Sequence, residues 1–570
     1  MDYDEYTSYR QYRALESAVR EQLEACPDWK QRVSEAEPEP NGDSHRQGVP
    51  RGPFPIPGVQ ILDHPPSHGS TQALFLVGWT SEDDPLNPRN FRVRTRVLTT
   101  LYVSALAFAV SASSSIESAV LAQSSAAYRV SEVVASLFTA VFLLGFAAGS
   151  LVSGPLSEIL GRNAVYTGFT SLFMLFIMGS GLSHTIGAKL ACRFLAGVCG
   201  CPPLTCAGGT VADIWSPREK TLSFPGYAIL SFGGAILSPV IASYMGQGTL
   251  SWRWVNWIVL IMGGLVLALI VLLQPETFAP LLLRWKARHF RRLTGDARFQ
   301  SRMDLDLGQT SILSRITSAC ARQFTLAVRE PIILLLALYM TILYIVLFTF
   351  FDGYPYIFTD VHHLSQGLTN IVWVAMYVGI ILAGFLVPLM YQQHHRGRRL
   401  KKQQQQQQQQ EEDRPADGAR ERCAHTSDAE SESSLFIQPE DRLWYAMVGA
   451  PAIPISLFWM GWTDYSSISV WSPILGSSLF GFGSICLFIS CYMYVIDAYE
   501  AYAASALGFM TITRYCAAGG MTVVGVPFYQ NMGVHWTLTI LGIISALMVP
   551  VPYTFWKYGP VIRGWSRFAV

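Results

Sequence analysis

The sequence predicts an all-α integral membrane protein of about twelve transmembrane helices arranged in two six-helix halves. Hydrophobic residues make up 51% of the 570-residue chain and charged ones only 14%, about half the charged share of soluble domains. The apolar residues fall in runs of about 20, the length that crosses about 30 Å of hydrocarbon. A long polar stretch divides those runs six and six.

In chain order, residues 1–96 are expected to be a largely disordered tail. One helix is allowed in Tyr6–Val33, followed by a Pro/Gly-rich stretch from Pro38 to Pro66. The apolar surface there looks too small for a packed core. The N-terminal half covers 97–273, with spans near Val97–Ala119, Val133–Ser153, Ala164–Leu182, Ala188–Ala212, Leu222–Met245 and Trp254–Leu273. A basic, mostly polar central loop, 274–330, carries Arg284, Lys286, Arg288, Arg291, Arg292 and Arg298.

The second half, 331–556, has spans near Pro331–Phe351, Leu368–Tyr391, Leu443–Trp462, Val470–Ile496, Ala503–Tyr529 and Trp536–Trp556. Between its second and third spans, 392–441 reads as a disordered loop with a glutamine run, Gln403–Gln410. A tail, 557–570, closes the chain. Basic residues near segment ends alternate in density. One side holds Arg89–Arg96, Arg162, Arg218, Lys220, the central loop and the C-terminal tail, whereas the other holds little beyond Arg129, Lys189 and Arg253. This asymmetry places both termini and the central loop in the cytoplasm.

The net charge of +1 gives no global basicity that would suggest a nucleic-acid partner. No His-containing metal motif, nucleotide-binding loop or nucleophile elbow occurs, so neither metal, cofactor nor catalytic residue is expected. The ten cysteines lie mostly in apolar runs and read as small packing residues.

The chemistry-bearing stretch is the short connector Gly154-Pro155-Leu156-Ser157-Glu158-Ile159-Leu160-Gly161-Arg162-Asn163, an acid and a base bracketed by glycines between two spans. It resembles the loop between helices 2 and 3 of the major facilitator superfamily, in the variant of the fungal drug:proton antiporters. Other stretches resemble the same family in the correct order. They are Trp79–Asn90, Arg193-Phe194-Leu195-Ala196-Gly197 through Ala212-Asp213-Ile214-Trp215, Trp252-Arg253-Trp254, Pro275-Glu276-Thr277-Phe278-Ala279-Pro280, and Asp497-Ala498-Tyr499 through Ala506.

The resemblance implies a major facilitator fold and proton-coupled efflux of small amphipathic compounds (drugs, toxins or secondary metabolites) across the cell membrane. The partners would be a small-molecule substrate, protons and the lipid bilayer. A facilitator or importer of another solute on the same fold is the alternative. Neither oligomeric state nor substrate identity is readable.

The resemblance also assigns residues. Gly154, Glu158, Gly161, Arg162 and Asp213 would form a cytoplasmic latch. In it, Glu158 faces the N-terminus of the eleventh helix near Ala503–Ser505, and Arg162 pairs with Asp213. Because the loop after the eighth span offers only Val387-Pro388-Leu389 and a basic run, the latch is expected to be one-sided. Arg193 takes the family's proton-coupling position, with snorkelling to the outer interface as the alternative. Arg514, about a dozen residues into its span, calls for a water-lined cavity or an acidic ligand, since a lone charge at that depth is costly. Glu117 is either a protonatable cavity group or an interfacial carboxylate. The fifth span keeps the proline of the antiporter signature in Ser238-Pro239-x-x-Ala242-Ser243. With Gly234, these small residues allow close helix packing and a kink.

Overall fold

The computed structural model describes residues 7–27, 29, 50–53, 56–64, 72–216, 219–245, 250–309, 311–386, 388–389, 392, 439–499, 502–564 and 566. Almost all of the loop expected over 392–441 therefore lies outside the described residues, as does Val387.

Eleven helices among the described residues are long and apolar enough to cross a membrane. Spans one to six are Val93–Tyr128, Glu132–Leu160, Arg162–Leu182, Ile186–Ile214, Lys220–Ile241 and Trp254–Leu273. Spans seven to ten are Pro331–Val361, Gln366–Leu386, Pro439–Thr463 and Trp471–Tyr499. The last segment, Ala503–Gly564, has 62 residues, which as one rod would reach about 93 Å. It is broken at Gly533, with φ 73° and ψ 171°, so it supplies spans eleven (503–532) and twelve (534–564). The expected twelve passages are reached this way.

Helices suit this setting because all their backbone hydrogen bonds close internally. Their starts follow from local chemistry. Ser131, Thr185 and Ser365 cap spans two, four and eight by accepting from the amides of Val134, Ala188 and Leu368. Below, the face where spans one, three and five begin is called the tail face, and its opposite the far face.

The helix allowed in Tyr6–Val33 is Ser8–Ala25. The rest of the tail departs from expectation among the described residues, since Pro50–Pro53, Val59–His64 and Gln72–Val77 form successive antiparallel strands, the last pairing in parallel with Phe299–Gln300. The central segment is helical over Ala279–Thr294, Arg302–Gln309 and Ile312–Arg329. Val19, Ile56, Val59, Phe75 and Val77 form one apolar core with Ala287, Phe290 and Phe299. Neither segment has enough apolar surface alone, which is why each reads as polar. Together they do, and disorder is corrected to a small folded body on the tail face.

Three arginines of the central loop are correspondingly spent on structure. Arg284 and Arg291 pair with Asp304, and Arg298 with Asp296. Lys286 is buried and donates to the Gly78 carbonyl and Thr80 hydroxyl at 3.1 and 3.2 Å. The Asp83-Asp84-Pro85 region is a folding motif of the same kind. Asp84 accepts from the Thr80 and Leu86 amides, and Asn87 caps the short turn Pro88–Asn90.

The two halves touch at both faces. On the far face, Gln366 donates to the Ala119 carbonyl at 2.6 Å and accepts from Gln123 at 3.0 Å. On the tail face, Arg442 donates to the Thr221 hydroxyl at 2.5 Å. Between these closures, a layer of aromatic rings fills the middle of the molecule.

Candidate functional site

The connector that carries the motif forms a tight corner. Gly161 adopts φ +95° and packs so closely that an added Cβ would lie 2.4 Å from Leu281 and 2.6 Å from Glu276. A side chain is excluded on both counts. The corner leaves the first amides of span three facing Glu276, whose carboxylate accepts from the backbone N–H groups of Arg162, Asn163, Thr277 and Phe278 at 2.9–3.1 Å. A buried carboxylate at a helix N-terminus satisfies otherwise orphaned donors.

Arg162 pairs with Asp213 at 3.2 Å, donates to the Ser157 hydroxyl, and lies over the Phe278 ring. That contact joins spans three and four. It therefore braces the N-terminal half and does not itself cross between halves.

Glu158 is exposed and makes no ion pair or hydrogen bond among the described contacts. It lines a cavity of about 250 Å³ with Gly154, Arg162, Asp213, Arg322 and Ala503–Ser505. The carboxylate and the start of span eleven thus share one cavity, but the expected cap is not made in this state. The helix Ile312–Arg329 also borders the cavity. Gln323 and Cys320 of that helix donate to the Leu151 carbonyl, while Phe324 meets Phe509 edge-on.

A one-sided latch is corrected. Arg442, fully buried at the start of span nine, donates to Asp497 at the end of span ten at 2.7 Å. It is the positional counterpart of Arg162 and Asp213. It escaped reading because the basic run just after span eight drew notice, whereas Arg442 lies at the far end of that same long connector, where span nine begins. A basic residue opening span nine, with Asp497 closing span ten, was the signal available.

Arg193 is wholly buried, which rules out snorkelling to the interface. Its guanidinium donates to the Phe138 carbonyl at 3.1 Å and to the Ser113 hydroxyl and carbonyl at 3.2 and 2.8 Å. The Phe142 ring lies 4.5 Å beneath it. Glu117 is enclosed by protein as well. It is buried, bonded to Lys189 at 2.9 Å and to Asn256 at 3.1 Å. Lys189 is in turn enclosed by Phe138 and Trp252. Lys189 was read from sequence only as a segment-end basic residue, and Asn256 not at all. Together with Arg193 and Glu117 they tie spans one, two, four and six.

The fifth-span residues meet span one. A Cβ on Gly234 would sit 2.2 Å from the Phe108 carbonyl, so only glycine permits this approach. Four residues on, Ser238 hydrogen bonds to Ser115 at 2.7 Å. Pro239 lies inside the helix, and Ala242 is its buried C-cap.

Arg514 is 1% exposed and lies against four rings, Tyr344, Tyr515, Tyr492 and Phe488, at 4.7, 4.9, 5.2 and 5.7 Å. Those rings reach the other half, since Phe232 of span five packs on Phe488 at 4.7 Å and on Tyr344 at 6.1 Å. Sequence reading missed Asp352 of span seven. It is buried, its Oδ2 has no hydrogen-bond partner, and it abuts Gly525 of span eleven.

Twelve spans in two halves, similar charged braces at spans three–four and nine–ten, and buried charges near the midplane define a membrane transporter. The chain belongs to the Major Facilitator Superfamily, whose sequence profile matches residues 76–402. It is 44% identical over 495 residues to the MFS-type transporter kojT of Aspergillus flavus and of Aspergillus oryzae, covering 87% of this chain and 82% of the relative. The MFS-type efflux pump MFS2 of Trichophyton rubrum is 32% identical over 511 residues, covering 90% of this chain and 80% of that one. Among solved structures, the proton:xylose symporter XylE from E. coli aligns with a TM-score of 0.56 at 13% identity, over 82% of this chain and 96% of its own. At that identity the likeness concerns the fold alone.

Proposed function

We propose that this protein is a proton-coupled exporter of small amphipathic compounds, working by alternating access in the cell membrane with the tail face in the cytoplasm. The observation that carries the coupling is Asp352, a carboxylate buried in a span with an unpartnered oxygen and no ion pair among the described residues. As an anion it would cost several kcal/mol in such surroundings. Binding a proton is the direct way to bury it, and exposure to water the direct way to release that proton.

Arg193 and Glu117 belong to the same reading. Glu117 is held as an anion by Lys189 and Asn256, and becomes a second proton acceptor when that contact opens. Arg193 holds span four to span one beside it. Efflux is favoured over uptake by the relative named an efflux pump, and the basic tail face supports a cytoplasmic orientation of that side. Lipid surrounds the spans, and small organic molecules are the cargo.

The test compares compounds retained by cells with and without the gene by untargeted mass spectrometry, then follows the retained compounds into inside-out vesicles. A gradient acidic inside the vesicle should drive uptake, and Asp352→Asn should abolish the gradient's effect while leaving the protein in the membrane. Uptake indifferent to the gradient would favour the facilitator alternative.

A further inference from the structure

We infer that the cargo is a small planar organic anion, a conjugated carboxylate, held by the unpartnered Nε and Nη1 of Arg514 within the rings of Tyr344, Phe488, Tyr492 and Tyr515. The inference rests on reading the chain as an exporter of small compounds and adds the chemical class.

The argument starts from a contrast between two buried arginines. Every guanidinium nitrogen of Arg193 donates to an oxygen of its own half. Arg514 is equally buried, yet its Nε and Nη1 have no hydrogen-bond partner. It forms no ion pair with a carboxylate among the described residues. Its charge is met by ring faces and neighbouring phenol groups, which stabilise a cation far less than an anion does. A guanidinium with donors to spare, at membrane mid-depth, is an acceptor site for an oxyanion. The acceptor that these two donors lack is an oxyanion, and a carboxylate supplies one.

The rings set the rest of the ligand. Four aromatic faces around the guanidinium favour a flat, conjugated body over a flexible chain or a polyhydroxylated ring. The fixed positive charge opposes organic cations. Because Phe232 of the other half packs on both Tyr344 and Phe488, a ligand seated on Arg514 touches both halves. Its binding would therefore be felt by the rearrangement that carries it across.

The test is equilibrium binding to the purified full chain in lipid nanodiscs, with no gradient, using 2-naphthoate and its cationic counterpart 2-naphthylmethylamine. Naphthoate is expected to bind at least tenfold more tightly than the amine. Arg514→Lys should weaken naphthoate at least tenfold, and Arg514→Gln should equalise the two probes. Equal binding of the probes by the parent protein, or no binding of naphthoate at millimolar concentration, overturns the inference without any variant having to fold. Unchanged selectivity in a folded Arg514→Gln protein overturns it too. The exporter reading fails separately: naphthoate bound through Arg514 but unmoved by a proton gradient supports the anion site and sinks the coupling. Gradient-driven flux of neutral compounds, with no anion selectivity, does the reverse.

Discussion

Arg442 donates to Asp497 at 2.7 Å where spans nine and ten reach the tail face, and the same side chain reaches across to Thr221 of the other half. Arg162 and Asp213 make the matching contact at spans three and four. The two pairs differ in one respect that bears on gating. Arg162 stays within its half, whereas Arg442 both braces its half and bridges the two. Closure of the tail face therefore depends more on Arg442 than on the residues of the longer motif.

Asp497→Asn should consequently loosen the tail face more than Asp213→Asn. Removing one partner of a fully buried pair costs about 3–5 kcal/mol. Asp497 keeps 15% of its side-chain surface exposed, so a smaller cost is expected. Cys206, buried at the tail-face cavity, is the reporter. In a variant retaining it as the single cysteine, Asp497→Asn should raise the maleimide labelling rate several-fold. An unchanged rate would remove Arg442 and Asp497 from the closure.

The membrane architecture was legible because twenty-residue apolar runs admit few alternatives in lipid. Gly161, Arg162 and Asp213 were legible only through the resemblance of their motifs to a known family, whereas the fifth-span glycine stood out because close helix approach demands small residues. The tail was illegible because its core is shared. Phe75 and Phe299 pack together only after more than two hundred residues of membrane protein intervene, and no local window contains both. Asp352 was hidden by its apolar company, one acid amid Phe348, Phe350 and Phe351. Glu158 shows the opposite failure, where a motif named a contact that this closed arrangement does not make.

The tail body should become more stable as pH rises above 8. Burial lowers the Lys286 pKa from 10.5 to about 8, against the opposing pull of Asp84. Between about pH 8 and 10.5 the unfolded tail binds more protons than the folded one, so folding strengthens with pH across that window. Well below pH 8 the buried ammonium carries the full penalty, of about 3–4 kcal/mol. Hydrogen-exchange protection factors for Ser8–Ala25 and Val59–His64, corrected for intrinsic rates, should rise from pH 7.5 to 9.5. Lys286→Met should show high protection already at pH 7.5 and no rise. A flat profile in the parent would mean that the ammonium is solvated.

Glu276 should couple the tail body to the transporter corner. Its carboxylate closes the first amides of span three, while its own backbone N–H and carbonyl are bound by the Gln11 side chain at 2.7 and 3.3 Å. The N-terminal helix is thus attached to the residue that fixes the Gly161 turn. Glu276→Ala would leave buried N–H groups unpaired, at about 1.5–3 kcal/mol for hydrogen bonds to a charged acceptor. Exchange should accelerate at two places far apart in sequence, residues 162–166 and the helix Ser8–Ala25. Gln11→Ala, which spares the carboxylate, should free the helix and leave 162–166 protected. If Glu276→Ala speeds exchange at the corner alone, the N-terminal helix is held by its apolar face on Leu282 and Trp285, and the proposed coupling does not exist.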